Sequence, residues 1–305
     1  MKKTSLLKHN KSFHYFTKSV SALSELKHIS KKNFNNFIEY SEQRLIDAYS
    51  RMDMQNQPWA KHTKDEIEFI KQYFPQDKSI TIYDFGCGTG RHIAELNSHG
   101  FENVFGFDFS ENLINQAQKL HPEITNHFFQ KDIRILKCKK KADVILCLYD
   151  VIGSFPEEKD NLKIIKAVKK NLKKGGLLIC SVMNMELTEN ICKNKFDVYN
   201  NPKRLFSLQA SQIMQQTGNI FNPDTFVIDE KSNLVFRKEI FKGDGFLDSE
   251  YIIRDKRYRK EEIISLLNKS DFSILESRFV RAGKFNEPLS SIDSNAKEIL
   301  IIAKK

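Results

Sequence analysis

Long apolar runs are missing from this chain of 305 residues, and none approaches the ~20 residues that a membrane-spanning helix needs. The opening MKKTSLLKHNKSF has the charge of a signal peptide but no apolar centre, so the reading is cytoplasmic, with no membrane partner. Cysteine is scarce. The five residues Cys87, Cys138, Cys147, Cys180 and Cys192 are odd in number and form no Cys-x-x-Cys pair. The eight histidines form no His-x-x-x-His pair. These absences argue against a disulfide framework and against a zinc site, and no metal is expected. Arginine is sparse beside lysine, 11 against 38. The net charge of +10 would otherwise suggest nucleic acid, but arginine is the better reader of phosphate and bases. Most of the excess also sits in residues 1–32, which hold eight lysines and one acid, Glu25. A solvated basic arm is favoured over a nucleic-acid contact, which stays open.

What is present centres on Ile80 to His92, ITIYDFGCGTGRH. Ile80, Ile82 and Phe85 have the character of a buried strand. Asp84 stands near its carboxyl end. Gly86, Gly88 and Gly90 form a loop that tolerates positive φ and leaves room for a ligand against the backbone. A helical pattern follows, whose first N–H groups and positive dipole end face the same place. Strand, glycine loop and helix are how an open parallel sheet binds a nucleotide-like molecule. The glycine spacing is G-x-G-x-G and not the dinucleotide G-x-G-x-x-G, with Arg91 where the third dinucleotide glycine would be. An acid before the first glycine repels a pyrophosphate and suits a ligand with a cationic end.

Three further stretches follow in order. Val104 to Phe107 reads as a second strand ending at Asp108, 24 positions after Asp84. A carboxylate there can accept both ribose hydroxyls, and Phe109 can cover an adenine ring. Gln130-Lys131-Asp132-Ile133 comes next. Ala142 to Leu148, ADVILCL, then reads as a fourth strand.

The string DFGCGTG, with these three stretches behind it, resembles class I S-adenosylmethionine-dependent methyltransferases of the small-molecule type. The resemblance covers residues 60–183 well and 258–305 moderately. It implies an α/β fold: a Rossmann-like seven-stranded sheet, order 3-2-1-4-5-7-6 with strand 7 antiparallel, and helices on both faces. It implies S-adenosylmethionine as cofactor, with S-adenosylhomocysteine as product. The implied contact set is Trp59, Asp84, Gly86, Cys87, Gly88, Gly90, Asp108, Phe109, Asp132, Ile133 and Leu148. In the family Asp84 would meet the amino acid end of the cofactor and Asp132 the adenine amino group. Arg51 to His62, RMDMQNQPWAKH, resembles the stretch that closes on the methionine end, with Arg51 and Trp59 as candidates beside the sulfonium. A packing role for Trp59 is the alternative. Cys87 has no basic partner in the sequence and reads as a small residue that fits the loop.

Tyr149-Asp150 lies just past the fourth strand, where an acceptor would meet the methyl group. Both are candidate catalytic residues, with Asp150 able to serve instead as a turn cap. The Asn/Asp-Pro-Pro-Tyr/Phe motif of enzymes that methylate exocyclic base amines or glutamine is absent, and no Pro-Cys pair supports cytosine C5 chemistry. The expected acceptor is an N or O atom of a small molecule. An RNA or protein methyltransferase docking through the basic arm, and a cofactor-binding protein without turnover, are the alternatives.

Around this centre the expected organisation has three parts. Residues 1–60 form a helical extension, a lid or a homodimer arm. Residues 61–183 and 259–305 form the methyltransferase domain. Residues 184–258 form an inserted β-rich cap with strands at 226–228, 234–236 and 251–253. Thr63 to Phe74 reads as a helix with Thr63 and Glu66 at capping-box spacing. The helix striped by Leu162, Ile165, Val168 and Leu172 is expected to end at Gly175-Gly176.

Overall fold

The computed structural model describes residues 37–38, 52–212, 219–241 and 249–305. In chain order the strands are β1 (Phe37–Ile38), β2 (Ile82–Phe85), β3 (Val104–Asp108), β4 (Phe128–Gln130), β5 (Ala142–Cys147), β6 (Leu172–Met183), β7 (Phe226–Asp229), β8 (Leu234–Phe241), β9 (Ser249–Lys256), β10 (Ser273–Arg281), β11 (Lys284–Leu289) and β12 (Glu298–Lys304). The helices used below are α1 (Thr63–Ile70), α2 (Arg91–Ser98), α3 (Glu111–Leu120), α4 (Glu158–Asn171), α5 (Met185–Cys192), α6 (Pro202–Ser207) and α7 (Lys260–Asn268).

The chain divides into two compact units. The larger holds residues 53–153, 158–187 and 258–305 and is built on one sheet, in the order β11-β10-β12-β6-β5-β2-β3-β4. The strands β4, β3, β2, β5 and β6 run parallel, while β12 is antiparallel to both β6 and β10. That is the expected order with strand 7 reversed, and one strand more. The eighth, β11, forms an antiparallel hairpin with β10 across Ala282-Gly283. Gly283 has φ +83°, which a tight strand turn needs.

Burial explains why these segments are strands. Val144, Ile145, Leu146 and Cys147 of β5, and Leu178, Ile179 and Cys180 of β6, are all fully buried. Strands covered on both faces read as unbroken apolar runs. Helix α3 starts where Ser110 Oγ accepts from the Leu113 N–H at 3.2 Å, and it buries the stripe Leu113, Ile114 and Ala117.

Local signals failed in three places. The capping box at Thr63 does not form. Its hydroxyl donates to the Ala60 carbonyl at 2.7 Å, and Glu66 turns inward and is fully buried. Helix α4 ends at Asn171, and Gly175 and Gly176 fall at the start of β6, where Gly175 N–H donates to Lys305 O at 2.9 Å. Residues 37–38 form a strand parallel to β9 and no helix. The rest of the expected extension up to Arg51 lies outside the described residues.

The smaller unit, among the described residues, comprises 37–38, 154–157 and stretches of 188–257, with the sheet order β1-β9-β8-β7. The hairpin β7–β8 turns through Asn233 at φ +54°. Within it Arg237 is buried and donates to both oxygens of Asp255, at 2.6 and 3.0 Å. Arg257 lies over the rings of Phe221 and Phe226, 4.3 and 5.3 Å from their centroids.

Candidate active site

The strand order of the larger sheet reverses between β2 and β5, since the chain leaves β2 toward β3 on one side and reaches β5 on the other. Ligands of open α/β sheets bind beyond the carboxyl ends of the strands at such a point. The loop after β2 is the glycine stretch, and the loop after β5 carries Tyr149 and Asp150.

The three glycines do different work. Gly86, at φ +78°, lies against Val151 of the second loop, and an added Cβ would stand 2.5 Å from Val151 Cγ2. Gly90, at φ +83°, caps α2, and a Cβ there would stand 2.4 Å from the Phe128 ring. Gly88, at φ +54°, has nothing within 4 Å of that position, so the backbone is open to a ligand on this side. Cys87 is buried beneath the loop. Burial pushes its thiol well above the ordinary value, with Asp108 and Asp84 adding to the shift, so it is no nucleophile.

Asp108 ends β3 and is buried. It accepts from the Gly88 N–H at 3.0 Å and from the Ser110 N–H at 2.9 Å, tying the glycine loop to the second strand. Burial raises its pKa to about 6 against the pull of these bonds. Phe109 beside it is half-buried, and Ile133 and Leu148 are buried. Asp132 is paired within its own loop. Both its oxygens bond the Arg134 side chain, at distances between 2.7 and 3.1 Å. An adenine amino group would have to share them with Arg134.

Asp84, next to last in β2, is 2 % exposed, and its Oδ2 accepts no hydrogen bond from the described residues. The nearest cationic group is His92 Nδ1, at 3.7 Å. The other face of that imidazole, Nε2, lies 2.9 Å from Glu66 Oε2. The same oxygen takes Arg91 Nη1 at 2.6 Å, and Tyr149 donates its hydroxyl to Glu66 Oε1. Arg91 Nη1 also donates to Thr63 Oγ1 at 2.7 Å, while Nη2 is buried with no partner among the described residues. Burial pushes the Glu66 carboxyl up, but Arg91, His92 and Tyr149 outweigh it and hold the group below the usual range. For His92, burial and Arg91 push down and the two carboxylates push up, with a net rise.

Tyr149 and Asp150 both adopt left-handed backbone, at φ +61° and +64°. Two adjacent non-glycine residues in that region cost ~1–2 kcal/mol each. They are held there by Ser181 of β6, whose Oγ accepts from Tyr149 N–H at 2.8 Å and whose carbonyl accepts from Asp150 N–H at 3.3 Å. Ser181 also bonds Glu298, the first residue of β12, and burial raises that carboxyl to about 7. The Tyr149 ring is flanked by Arg91 at 4.6 Å, His92 at 6.1 Å and Trp59 at 6.3 Å. Burial, and then Glu66, push the Tyr149 phenol well above its ordinary pKa.

The structure therefore gathers Trp59, Asp84, the glycine loop, Cys87, Asp108, Leu148, Tyr149 and Asp150 around the carboxyl ends of the inner strands, and pairs Asp132 with Arg134. Arg51 lies outside the described residues. Sequence reading passed over Glu66, Ser181 and Glu298 as site residues, and named Arg91 only for its place in the glycine pattern. One signal was available. Glu66 shares a helical face with Ile67 and Ile70, and an acid on a buried stripe needs partners.

A bare acceptor at Asp84 Oδ2, a bare donor at Arg91 Nη2 and an open backbone at Gly88 fit a nucleoside that carries a zwitterionic amino acid end. Comparison with known proteins points the same way. Residues 82–176 match the family model described as a methyltransferase domain. That stretch holds β2 to the start of β6 with the glycine loop, so this part of the chain is similar to a methyltransferase domain.

Among relatives, a tRNA U34 carboxymethyltransferase from Pseudoalteromonas translucida is 22% identical over 141 residues, 45% of this chain and 42% of that one. A ubiquinone biosynthesis O-methyltransferase from Rickettsia typhi is 33% identical over 123 residues, 39% of this chain and 47% of that one. The matched stretch thus spans under half the length of either. An S-adenosylmethionine-dependent methyltransferase structure from Clostridium acetobutylicum aligns with a TM-score of 0.57 at 18% identity, over 86% of this chain and 97% of that one, which is a likeness of fold.

Proposed function

We propose that this protein transfers a methyl group from S-adenosylmethionine to an N or O atom of a small molecule. The observation that carries the cofactor half is the pairing of a bare buried Asp84 oxygen with an open Gly88 backbone at the switch point of the sheet. The cofactor, when bound, supplies a methyl carbon already activated by positive sulfur. The chain's own residues position and shield. Asp84 and Arg91 hold the amino acid end, Asp108 accepts the ribose hydroxyls, and Phe109, Ile133 and Leu148 line the adenine. Trp59 and Tyr149 place aromatic faces beside the sulfonium. Asp150, fixed in its left-handed backbone, is the group assigned to take a proton where the acceptor must lose one. The absence of base- and glutamine-methylating motifs supports a small acceptor. Residues 184–258, which lie outside the family match, are assigned to choosing it.

A second reading rests on the basic segment 1–32 and on the tRNA enzyme among the relatives. One experiment separates the two. The protein and methyl-labelled cofactor are added to a cell extract split into metabolite, RNA and protein fractions. Label in metabolites is expected. Label in RNA or protein would replace the small-molecule reading. No label, with S-adenosylhomocysteine still bound, would favour a binding protein without turnover.

A further inference from the structure

Glu66 lies outside the glycine loop and outside every cofactor-contact stretch above, yet its one carboxylate holds three side chains of the site. We propose that Glu66 is a positioning residue for the amino acid end of the methyl donor, keeping Asp84 Oδ2 and Arg91 Nη2 unoccupied until the donor arrives. The inference rests on the methyltransferase reading.

The argument is one of competing partners. Glu66 pairs with both Arg91 and His92, and His92 also faces Asp84. A basic group this close to Asp84 would fill its free oxygen if nothing held it elsewhere. Glu66 supplies that hold. It takes Arg91 Nη1 at 2.6 Å and His92 Nε2 at 2.9 Å, which leaves His92 Nδ1 at 3.7 Å from Asp84, beyond a hydrogen bond. The grip on Nη1, shared with Thr63 Oγ1, leaves Arg91 Nη2 without a partner among the described residues. The result is a preformed acceptor and a preformed donor, matched to an ammonium and a carboxylate on one carbon. The third bond of Glu66, from the Tyr149 hydroxyl, holds the aromatic ring against the Arg91 guanidinium, 4.6 Å from the ring centroid.

Without the Glu66 charge, His92 has Asp84 as the carboxylate it already faces at 3.7 Å, and the free oxygen is lost. The test uses two ligands: S-adenosylhomocysteine, which has the amino acid end, and 5′-methylthioadenosine, which lacks it. Trp59 is the sole tryptophan and lies 6.3 Å from Tyr149, so its fluorescence reports occupancy, with calorimetry as a check. In Glu66→Gln, affinity for S-adenosylhomocysteine is expected to fall about tenfold or more, and affinity for 5′-methylthioadenosine to change less than about twofold. Equal losses for both ligands, or no loss for either, would overturn the proposal. Should Glu66→Gln fail to fold, Glu66→Asp, which keeps the charge but shortens its reach to Arg91 Nη1 and His92 Nε2, carries the same expectation. Wild-type protein that binds neither ligand would overturn the methyltransferase reading itself, and this inference with it.

Discussion

Asp108 shows how a single buried acid couples a site to pH. Its carboxyl titrates near 6 because burial outweighs the two N–H bonds it accepts. An acid with a raised pKa is protonated below that value and ionised above it. On the proposed ribose role, the carboxylate's full acceptor capacity is present above about pH 6 and reduced below it. Affinity for S-adenosylhomocysteine, measured by calorimetry between pH 5 and 8, is expected to fall as pH drops through about 6. Asp108→Asn is expected to weaken binding about 10- to 100-fold at pH 8 and to remove the Asp108 share of that pH dependence. Unchanged affinity would remove Asp108 from the ribose site. Asp150→Asn is expected to lower kcat about 100-fold with little change in S-adenosylhomocysteine affinity, since a proton acceptor acts in the reaction and not in cofactor binding. Stopped and steady-state assays on the same acceptor give both numbers.

At the scale of elements, the joints matter more than the strands. Helix α2 begins at Gly90, whose missing side chain lets the loop pass over the Phe128 ring. Gly90→Ala combines a positive φ with a Cβ 2.4 Å from that ring, and about 1–3 kcal/mol of stability should be lost. A thermal melt checks this, and an unchanged midpoint would mean that the loop relaxes freely. The hairpin β10–β11 was legible in hindsight from Ala282-Gly283 between two strand-like runs. It was missed because Lys284 to Leu289 is largely polar, as an edge strand is. The capping-box spacing at Thr63 and Glu66 misled for the opposite reason. A local hydrogen bond worth ~1 kcal/mol gave way to burial of an acid between two basic groups and a phenol.

For the whole molecule, the order of chain segments already carried most of the answer. The acid-glycine loop, the second acid 24 residues on and the apolar runs in sequence determine a doubly wound sheet and a nucleoside site. These signals are local: periodicity, glycine conformational freedom and the place of an acid at a strand end can be read without partners. The tertiary structure decided what those signals do not contain. It brought Glu66 of α1, Arg91 and His92 of α2, Tyr149 after β5, Ser181 of β6 and Glu298 of β12 together from across more than 230 residues. It also paired Asp132 with Arg134 and the Tyr149 hydroxyl with Glu66. Such roles depend on which charges meet in a buried place, where each must find a partner or shift its pKa. Spacing along a chain does not encode those meetings; the folding of distant strands side by side creates them.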